Sequence, residues 1–558
     1  MFSFHWNNQR RILALSLALS LGMLAAPTSR AVAQAPSNNC ADPYWQDTLR
    51  CKAFPGQPPQ ANFGTTPTNV ADVKDFTRVF LNNNPDVRCL DGTRPIIYVD
   101  KAVGGPSNKW MFTVPGGGSC NAQDGDGDGV FDNAQACLDT YANPAERGEM
   151  STAVDPPMKN LEGIHRPDPV RNPVFAGYNR VRVEKCSYDR YNGRVAYEAV
   201  GGYFLNHTAP SGTSVNVNVY QQGYLIMEEA LQALKSGLTY TTWADNGAGR
   251  VIEQPESLPP LADAEQILFV GHSGGAHGLF HNIDHLAKSL ADIPGFTGDV
   301  RTVFDANFIE SIENEAAFAT DASGNPLAGD AYSAVWSGET IGNGVPFSYD
   351  GATFHTTGHL VEQYDSWNAV FDTSCVDAHA ATGDDWKCRD RSHVLFNHIA
   401  TPFFFREDFT DPNQEHTNHG NGHFVEWGDW DNYPHCPTGF SPCPPLFTVD
   451  EHRTRLETQF QTLLNGSRSR SELATGADPS LGGPGNFPTF YAWMPNCGVH
   501  DGAYDDASFY NTTMSYKTFT HSMRTWLEGF VRVGRTNLRG WRVDGWEDSS
   551  GNVMTSCL

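Results

Sequence analysis

The chain has 558 residues, 39% of them hydrophobic and 18% charged, with 64 acidic against 38 basic side chains and a formal net charge of −26. This length allows two or three average domains or one large domain with insertions, and we read it as one large unit. The negative field argues against nucleic acid or an anionic membrane surface as a partner, and 12 cysteines, an even count, favour disulfides over metal thiolates in an oxidising compartment.

Arg10 and Arg11, the apolar run Ile12 to Ala26 and the small residues Ala31-Val32-Ala33 give residues 1–33 the pattern of a secretory signal peptide, so the expected location is secreted or periplasmic. That run is shorter than the ~20 apolar residues of a membrane span, and no other stretch approaches that length, so no integral membrane segment is expected in the mature chain. Residues 34–90 read as an irregular lead-in, rich in Pro, Asn and Gln at its start and tied by a disulfide. Residues 91–558 then read as one catalytic domain.

Strands are expected at Pro95–Asp100 and Trp110–Val114, and the second runs into Pro115-Gly116-Gly117-Gly118-Ser119-Cys120. Consecutive glycines after a strand let backbone N–H groups turn into a concave pocket of the kind that holds an oxyanion. Directly afterwards, within an insertion at 121–136, Asp124, Asp126, Asp128 and Asp132 alternate with small residues, and the Val130 carbonyl falls where a backbone ligand belongs. This is the pattern of a structural Ca²⁺ loop. Gln135 stands where an EF-hand has its bidentate glutamate, so no EF-hand helices are expected and Asp139 or another carboxylate would complete the shell.

Arg180–Glu184 reads as a strand and Tyr220–Leu234 as a helix. Ile267–Val270 is a short apolar strand that feeds into Gly271-His272-Ser273-Gly274-Gly275, and Leu279, Ile283, Leu286 and Leu290 recur behind it at helical spacing. Strand, G-x-S-x-G and helix in succession make a nucleophile elbow. Further strands are expected at Val300–Phe304 and Thr401–Phe405, and a last helix at Tyr516–Val531. Alternating strands and helices predict an α/β fold, α/β-hydrolase-like, with a mainly parallel sheet, helices on both faces and loop insertions, among them a His- and aromatic-rich one at 412–447.

Ser273 needs a base, and in such a fold the chain order is Ser, then an acid, then His. Asp411 lies just beyond the Thr401–Phe405 strand, and His500 lies in the loop Pro495–Gly502 before the last helix. His500 would take the serine proton while Asp411 fixes its tautomer. Asp408 and Asp305, each close behind a strand, are alternative acids. His272 and His277 lie too near Ser273 along the chain to turn back onto it and read as packing or pocket lining, and His521, within the last helix, as a core or surface residue. Glu415, His416, His419 and His423 have glycine-broken loop spacing rather than the helical register of a zinc motif. No cofactor is therefore expected for catalysis. Cys120 with Cys137, Cys375 with Cys388 and Cys436 with Cys443 are the natural local disulfides, and Asn206, Asn465 and Asn511 head glycosylation sequons.

Several of these segments together resemble the pectin acetylesterase and Notum family of secreted carboxylesterases. Trp110–Cys120 resembles its W-x-F-x-x-x-G-G-G-W-C segment, and Asn172–Val183 followed by Cys186–Gly193 its N-P-x-F-x-x-x-N-x-V stretch. Gly271–Gly275 stands where the family has G-x-S-A-G-G, Phe304–Phe308 is similar to D-A-G-F, Thr401–Phe405 with Asp411 to T-P-L-F and its aspartate, and Cys497–His500 to C-x-x-H. The resemblance implies a triad of Ser273, Asp411 and His500, and backbone donors from Gly116, Gly117, Gly118 and Gly274. It implies a carboxylic ester substrate, acetyl esters on a polysaccharide foremost. Ser119 in place of an aromatic residue, the Ca²⁺-like loop and Gly274-Gly275 in place of Ala-Gly depart from the family and bear on the pocket more than on the triad. A lipase or polyester depolymerase with the same triad, its acyl pocket covered by Trp427, Trp430 and Tyr433, is the alternative, and an inactive calcium-stabilised binding protein on a hydrolase scaffold is the second.

Overall fold

The computed structural model describes Cys51, Pro67 and residues 69–120, 137, 140–141, 147–194, 203–208, 214–306, 348–349, 352–353, 367–381, 385–389, 391–408, 490–495, 499–500, 502–514, 517–532, 540–543 and 555–556. Its centre is a ten-stranded sheet. In chain order the strands are β1 (Phe76–Phe80), β2 (Ile96–Asp100), β3 (Lys109–Val114), β4 (Met158–Lys159), β5 (Asn179–Val183), β6 (Gln266–His272), β7 (Asp299–Asp305), β8 (Phe403–Arg406), β9 (Phe490–Met494) and β10 (Gly540–Val543). In space they run β4-β1-β2-β5-β3-β6-β7-β8-β9-β10. From β5 to β10 every pairing is parallel, whereas β2 is antiparallel to both β1 and β5. A mainly parallel sheet with its second strand reversed and β5 inserted between β2 and β3 is the α/β-hydrolase arrangement expected from the sequence.

Period-two alternation sends the side chains of these strands to two separate cores. Trp110, Phe112 and Val114 of β3, Ile267 and Phe269 of β6 and Phe403 and Phe405 of β8 share one core with helix α1 (Gly223–Leu234) and helix α2 (Gly274–Ala291). Met111, Leu268, Val270, Val303, Phe404, Tyr491 and Trp493 face the other, where Phe519, Met523 and Trp526 of the last helix (Phe519–Arg532) cover them. Because both faces are covered, the strands are continuous apolar runs, which made them readable. The crossover between β7 and β8 carries two short helices, α3 (Thr373–His379) and α4 (Arg391–Asn397). With these labels, the last helix is α5.

Two features differ from the sequence reading. β1 lies inside the stretch 34–90 expected to be an irregular lead-in; its Phe-Thr-Arg-Val-Phe sequence lacks the unbroken apolar run of the buried strands, and it is held by pairing with β2 and β4. A disulfide between Cys89 and Cys186, separated by 97 positions, joins the segment before β2 to the segment after β5 and has no local signal. The expected Cys120–Cys137 and Cys375–Cys388 bridges are present, and Cys436 and Cys443 lie outside the described residues. Among the described residues no helix is long and apolar enough to cross a membrane.

The sheet order also decides where a site can form. After β3 the chain visits edge strand β4 and returns as β5 on one side of β3, while β6 lies on the other, so the strand order reverses at β3. In open α/β sheets that reversal opens a crevice at the carboxyl ends of the strands.

Candidate active site

β6 passes into α2 through a single residue, Ser273, whose φ of 49° and ψ of −122° lie outside helix and strand. Such a conformation costs a non-glycine residue about 1–3 kcal/mol and persists only where the surroundings fix it. They do so here: Ser273 N donates to the Asp305 carbonyl at 2.8 Å, and His277 N donates to the Ser273 carbonyl at 3.0 Å. The turn passes so close to β3 that a Cβ on Gly275 would lie 2.0 Å from the Val114 carbonyl oxygen. Ser273 keeps partial exposure although its neighbours Gly271, His272, Gly274 and Gly275 are buried.

The glycine loop after β3 lies against this elbow. A Cβ on Gly116 would come within 2.6 Å of Ser273 Cβ, and one on Gly274 within 2.6 Å of the Gly117 carbonyl oxygen. Gly116, Gly117 and Gly274 thereby lie together at the elbow. Gly118 is not a donor to the site: its N–H donates to Glu149 Oε2 at 2.9 Å and its carbonyl accepts from Lys185 Nζ at 2.5 Å. Lys185 and Glu149 are themselves paired at 2.8 Å, so Gly118 is the point at which the loop is clamped. Burial draws the Lys185 ammonium down to about 8, with Glu149 acting in the opposite sense.

On its far side the loop is held by the segment after Cys186. Ser119 bridges Asp189, and Cys120 N donates to the Tyr188 carbonyl at 3.0 Å. Tyr188, Arg190 and Tyr191 all take left-handed φ values of 51°, 51° and 61°. Buried Asp189 explains how three such residues coexist: it accepts from Ser187 Oγ at 2.6 Å, Tyr191 N at 3.0 Å and Gly223 N, the first residue of α1, at 2.7 Å. The Cys186–Gly193 motif is thus a brace for the loop.

His500 packs on the residue before the serine. Its ring stands edge-on to that of His272 with centroids 4.9 Å apart, and like Ser273 it is partly exposed. Arg406, at the end of β8 and buried, organises this side: it donates to Asp305 Oδ1 at 3.2 Å, Asp408 Oδ2 at 2.8 Å, the Val499 carbonyl at 2.7 Å and the His500 carbonyl at 3.0 Å. Asp305 also faces His272 Nδ1 at 3.2 Å and accepts from Ala503 N at 2.7 Å, and Asp408 accepts from Val499 N at 3.2 Å. Both alternative acids therefore brace the loop that carries His500. For Asp305, burial alone would raise the carboxyl, but Arg406 and the His272 contact outweigh it and hold it below the ordinary carboxylate range. Arg406 escaped the sequence reading; its only local signal is a basic residue directly after three phenylalanines and before Glu407-Asp408.

Asp411 lies outside the described residues, as do Asp124, Asp126, Asp128, Val130 and Asp132 of the Ca²⁺-like loop, the 412–447 insertion and Glu415, His416, His419 and His423. His277 is fully buried, with Arg190 Nη1 3.2 Å from its Nδ1; burial first, and then the neighbouring arginines, lower its pKa well below the ordinary value. That is the packing role expected of it. His521 is exposed on α5. A partly exposed serine in a strained elbow, a glycine loop against it and an imidazole packed on the adjacent His272 are the parts that nucleophilic acyl transfer uses.

Residues 69–241 match the family model described as pectinacetylesterase. Palmitoleoyl-protein carboxylesterase notum1' of Xenopus laevis is 24% identical over 256 residues, 46% of this chain and 41% of that protein. The inactive palmitoleoyl-protein carboxylesterase notum1b of Danio rerio is 30% identical over 110 residues, 20% of this chain and 68% of that protein. A solved structure of the Wnt deacylase Notum from Drosophila superposes with a TM-score of 0.48 at 15% identity, covering 84% of this chain and 96% of the other. The alignment to the Xenopus protein spans less than half of its length.

Proposed function

The chain belongs to the pectin acetylesterase and Notum family, and on that premise we propose that it is a serine carboxylesterase acting through Ser273, His500 and Asp411. The observation that carries this reading is the meeting of Ser273, at φ 49°, with the Gly116–Gly117 backbone. Ser273 Oγ attacks the ester carbonyl carbon while the His500 imidazole accepts its proton, and Asp411 orients the imidazole and stabilises its cation. The carbonyl π electrons move onto oxygen, where backbone N–H groups of Gly116, Gly117 and Gly274 balance the charge. Collapse of this adduct expels the alcohol, which takes the proton from His500. Water, deprotonated by His500, then releases the carboxylic acid and restores Ser273.

The pectinacetylesterase model supports acetyl esters on a polysaccharide as the substrate class. The name of the Xenopus relative supports a second reading, a longer acyl chain such as a lipase or polyester depolymerase would take, and the inactive fish relative keeps a non-catalytic binding protein in view. We place the chain outside the cytoplasm, supported by the signal pattern of residues 1–33 and by the disulfides. We also propose a structural Ca²⁺ on the loop of Asp124, Asp126, Asp128, Val130 and Asp132, which the Cys120–Cys137 disulfide closes at its base.

A panel of p-nitrophenyl esters from acetate to palmitate tests the activity. Hydrolysis by the wild type is expected to fall by on the order of 10⁴-fold or more in Ser273→Ala. A fluorophosphonate probe is expected to label the wild type alone. Absent labelling, or labelling that survives Ser273→Ala, sinks the esterase reading, and a preference for chains beyond butyrate replaces acetyl by the longer acyl class.

A further inference from the structure

Away from the elbow, three histidines meet in the crossover between β7 and β8. His379 ends α3, His393 lies in α4 and His398 directly follows it, and all three are buried. His393 Nε2 lies 2.9 Å from His379 Nε2 and 3.2 Å from His398 Nε2. The ligand atoms of His379, His393, His398 and Cys375 all fall within 4.8 Å of one another. Ring nitrogens around a tetrahedral zinc ion, with Zn–N bonds of about 2.0–2.1 Å, stand ~3.3 Å apart. The observed spacing is close to that.

The outer hydrogen bonds turn the rings the right way for such a site. Ser374 Oγ donates to Asp372 Oδ1 at 2.7 Å and so presents a lone pair to His398 Nδ1 at 3.1 Å. His398 therefore carries its proton on Nδ1 and points a bare Nε2 at the cluster. Asn397 Nδ2 lies 3.2 Å from His393 Nδ1, and a half-turn of the amide, which exchanges its nitrogen and oxygen, gives that ring the same tautomer when a cation occupies the cluster. Carboxylate, hydroxyl or amide partners on the outer ring nitrogen are how metal-bound histidines are held.

We propose that His379, His393 and His398 form a buried site for a divalent transition metal of the zinc class, which cross-links α3 to α4. Each histidine supplies the Nε2 lone pair and keeps its proton on Nδ1. Cys375 is held in the disulfide with Cys388, so its sulfur is not a thiolate ligand, and the fourth position belongs to water. The ion is structural: it sits on the crossover that leads into β8, which ends in Arg406, and takes no part in the acyl transfer proposed for Ser273.

The full chain, produced in zinc-supplemented medium, desalted and analysed by mass spectrometry, is expected to hold about one zinc per molecule. Ser273→Ala and a triple His416→Ala, His419→Ala, His423→Ala variant are expected to keep it, whereas His393→Ala and His398→Gln lose at least about nine-tenths. Wild type grown with cobalt in place of zinc is expected to show visible ligand-field bands of a nitrogen and oxygen site, a readout that needs no variant to fold. Zinc retained in a folded His379→Ala, His398→Gln double variant overturns the proposal. So does wild type without bound metal, and a thiolate-to-cobalt charge-transfer band overturns the three-histidine set.

Discussion

The guanidinium of Arg406 donates to the backbone carbonyl of His500 at 3.0 Å and to that of Val499 at 2.7 Å. The same planar fork reaches Asp305 and Asp408. One buried cation thus sets the position of the loop that carries His500, the base proposed for Ser273. A lysine keeps the charge but not the five-donor fork, so Arg406→Lys is expected to lower kcat about 10- to 100-fold while leaving KM within about twofold. Steady-state kinetics on the best ester substrate check this split. Loss confined to the melting temperature, with kcat intact, would show that the arginine only supports the fold.

Asp305 gives the protein an acid limit. Its carboxyl is held below the ordinary carboxylate range by Arg406 and His272 against the opposing effect of burial. A depressed acid contributes stability that is fully present above its unfolded pKa of about 4 and is lost as the pH falls through the lower folded value. Asp305→Asn is therefore expected to lower the melting temperature at neutral pH and to flatten its decline below about pH 4. Melting curves of both proteins from neutral to acidic pH decide it: parallel acid limbs would remove Asp305 as their source.

The elbow leaves no room for a methyl group at its first helical residue, Gly274. A Cβ at Gly274 would stand 2.6 Å from the Gly117 carbonyl oxygen. Gly274→Ala must push the glycine loop away from Ser273, against the clamp of Lys185 and Glu149 on Gly118. Expected are a stability loss of about 1–3 kcal/mol and a fall in kcat of about tenfold or more, since oxyanion donors act only when aimed. Thermal melts and kinetics of the single variant suffice, and a fully active, fully stable Gly274→Ala protein would contradict the close approach.

What the sequence disclosed and what it concealed divide along chain separation. The elbow, the Gly116–Gly118 loop and the strand ahead of Arg406 were legible because each is a short run with a local pattern: an apolar strand, then glycines or a G-x-S-x-G turn. Gly118 was misassigned because its partners Glu149 and Lys185 lie 31 and 67 residues away. Nothing at Gly118 itself records that its N–H is already engaged. The same holds for Cys89 with Cys186, and for His379, whose partner His393 is 14 residues distant across a disulfide-linked turn. β1 was missed for another reason: pairing with β2, rather than its own apolar pattern, makes Phe76–Phe80 a strand.

The aspartate loop following the glycine segment offers a last test. Asp124, Asp126, Asp128 and Asp132 place four carboxylates within nine positions, and the Ca²⁺ proposed for this loop would relieve their mutual repulsion at neutral pH. The disulfide between Cys120 and Cys137 closes the loop and joins it directly to the glycine segment that meets Ser273. A ligand bound only by the native state stabilises it by mass action, so EGTA is expected to lower the melting temperature by several degrees and added Ca²⁺ to restore it. Asp124→Asn with Asp126→Asn is expected to melt where the EGTA-treated wild type does and to ignore both reagents. Equal melting of wild type with and without Ca²⁺ would reduce the loop to a solvated acidic turn.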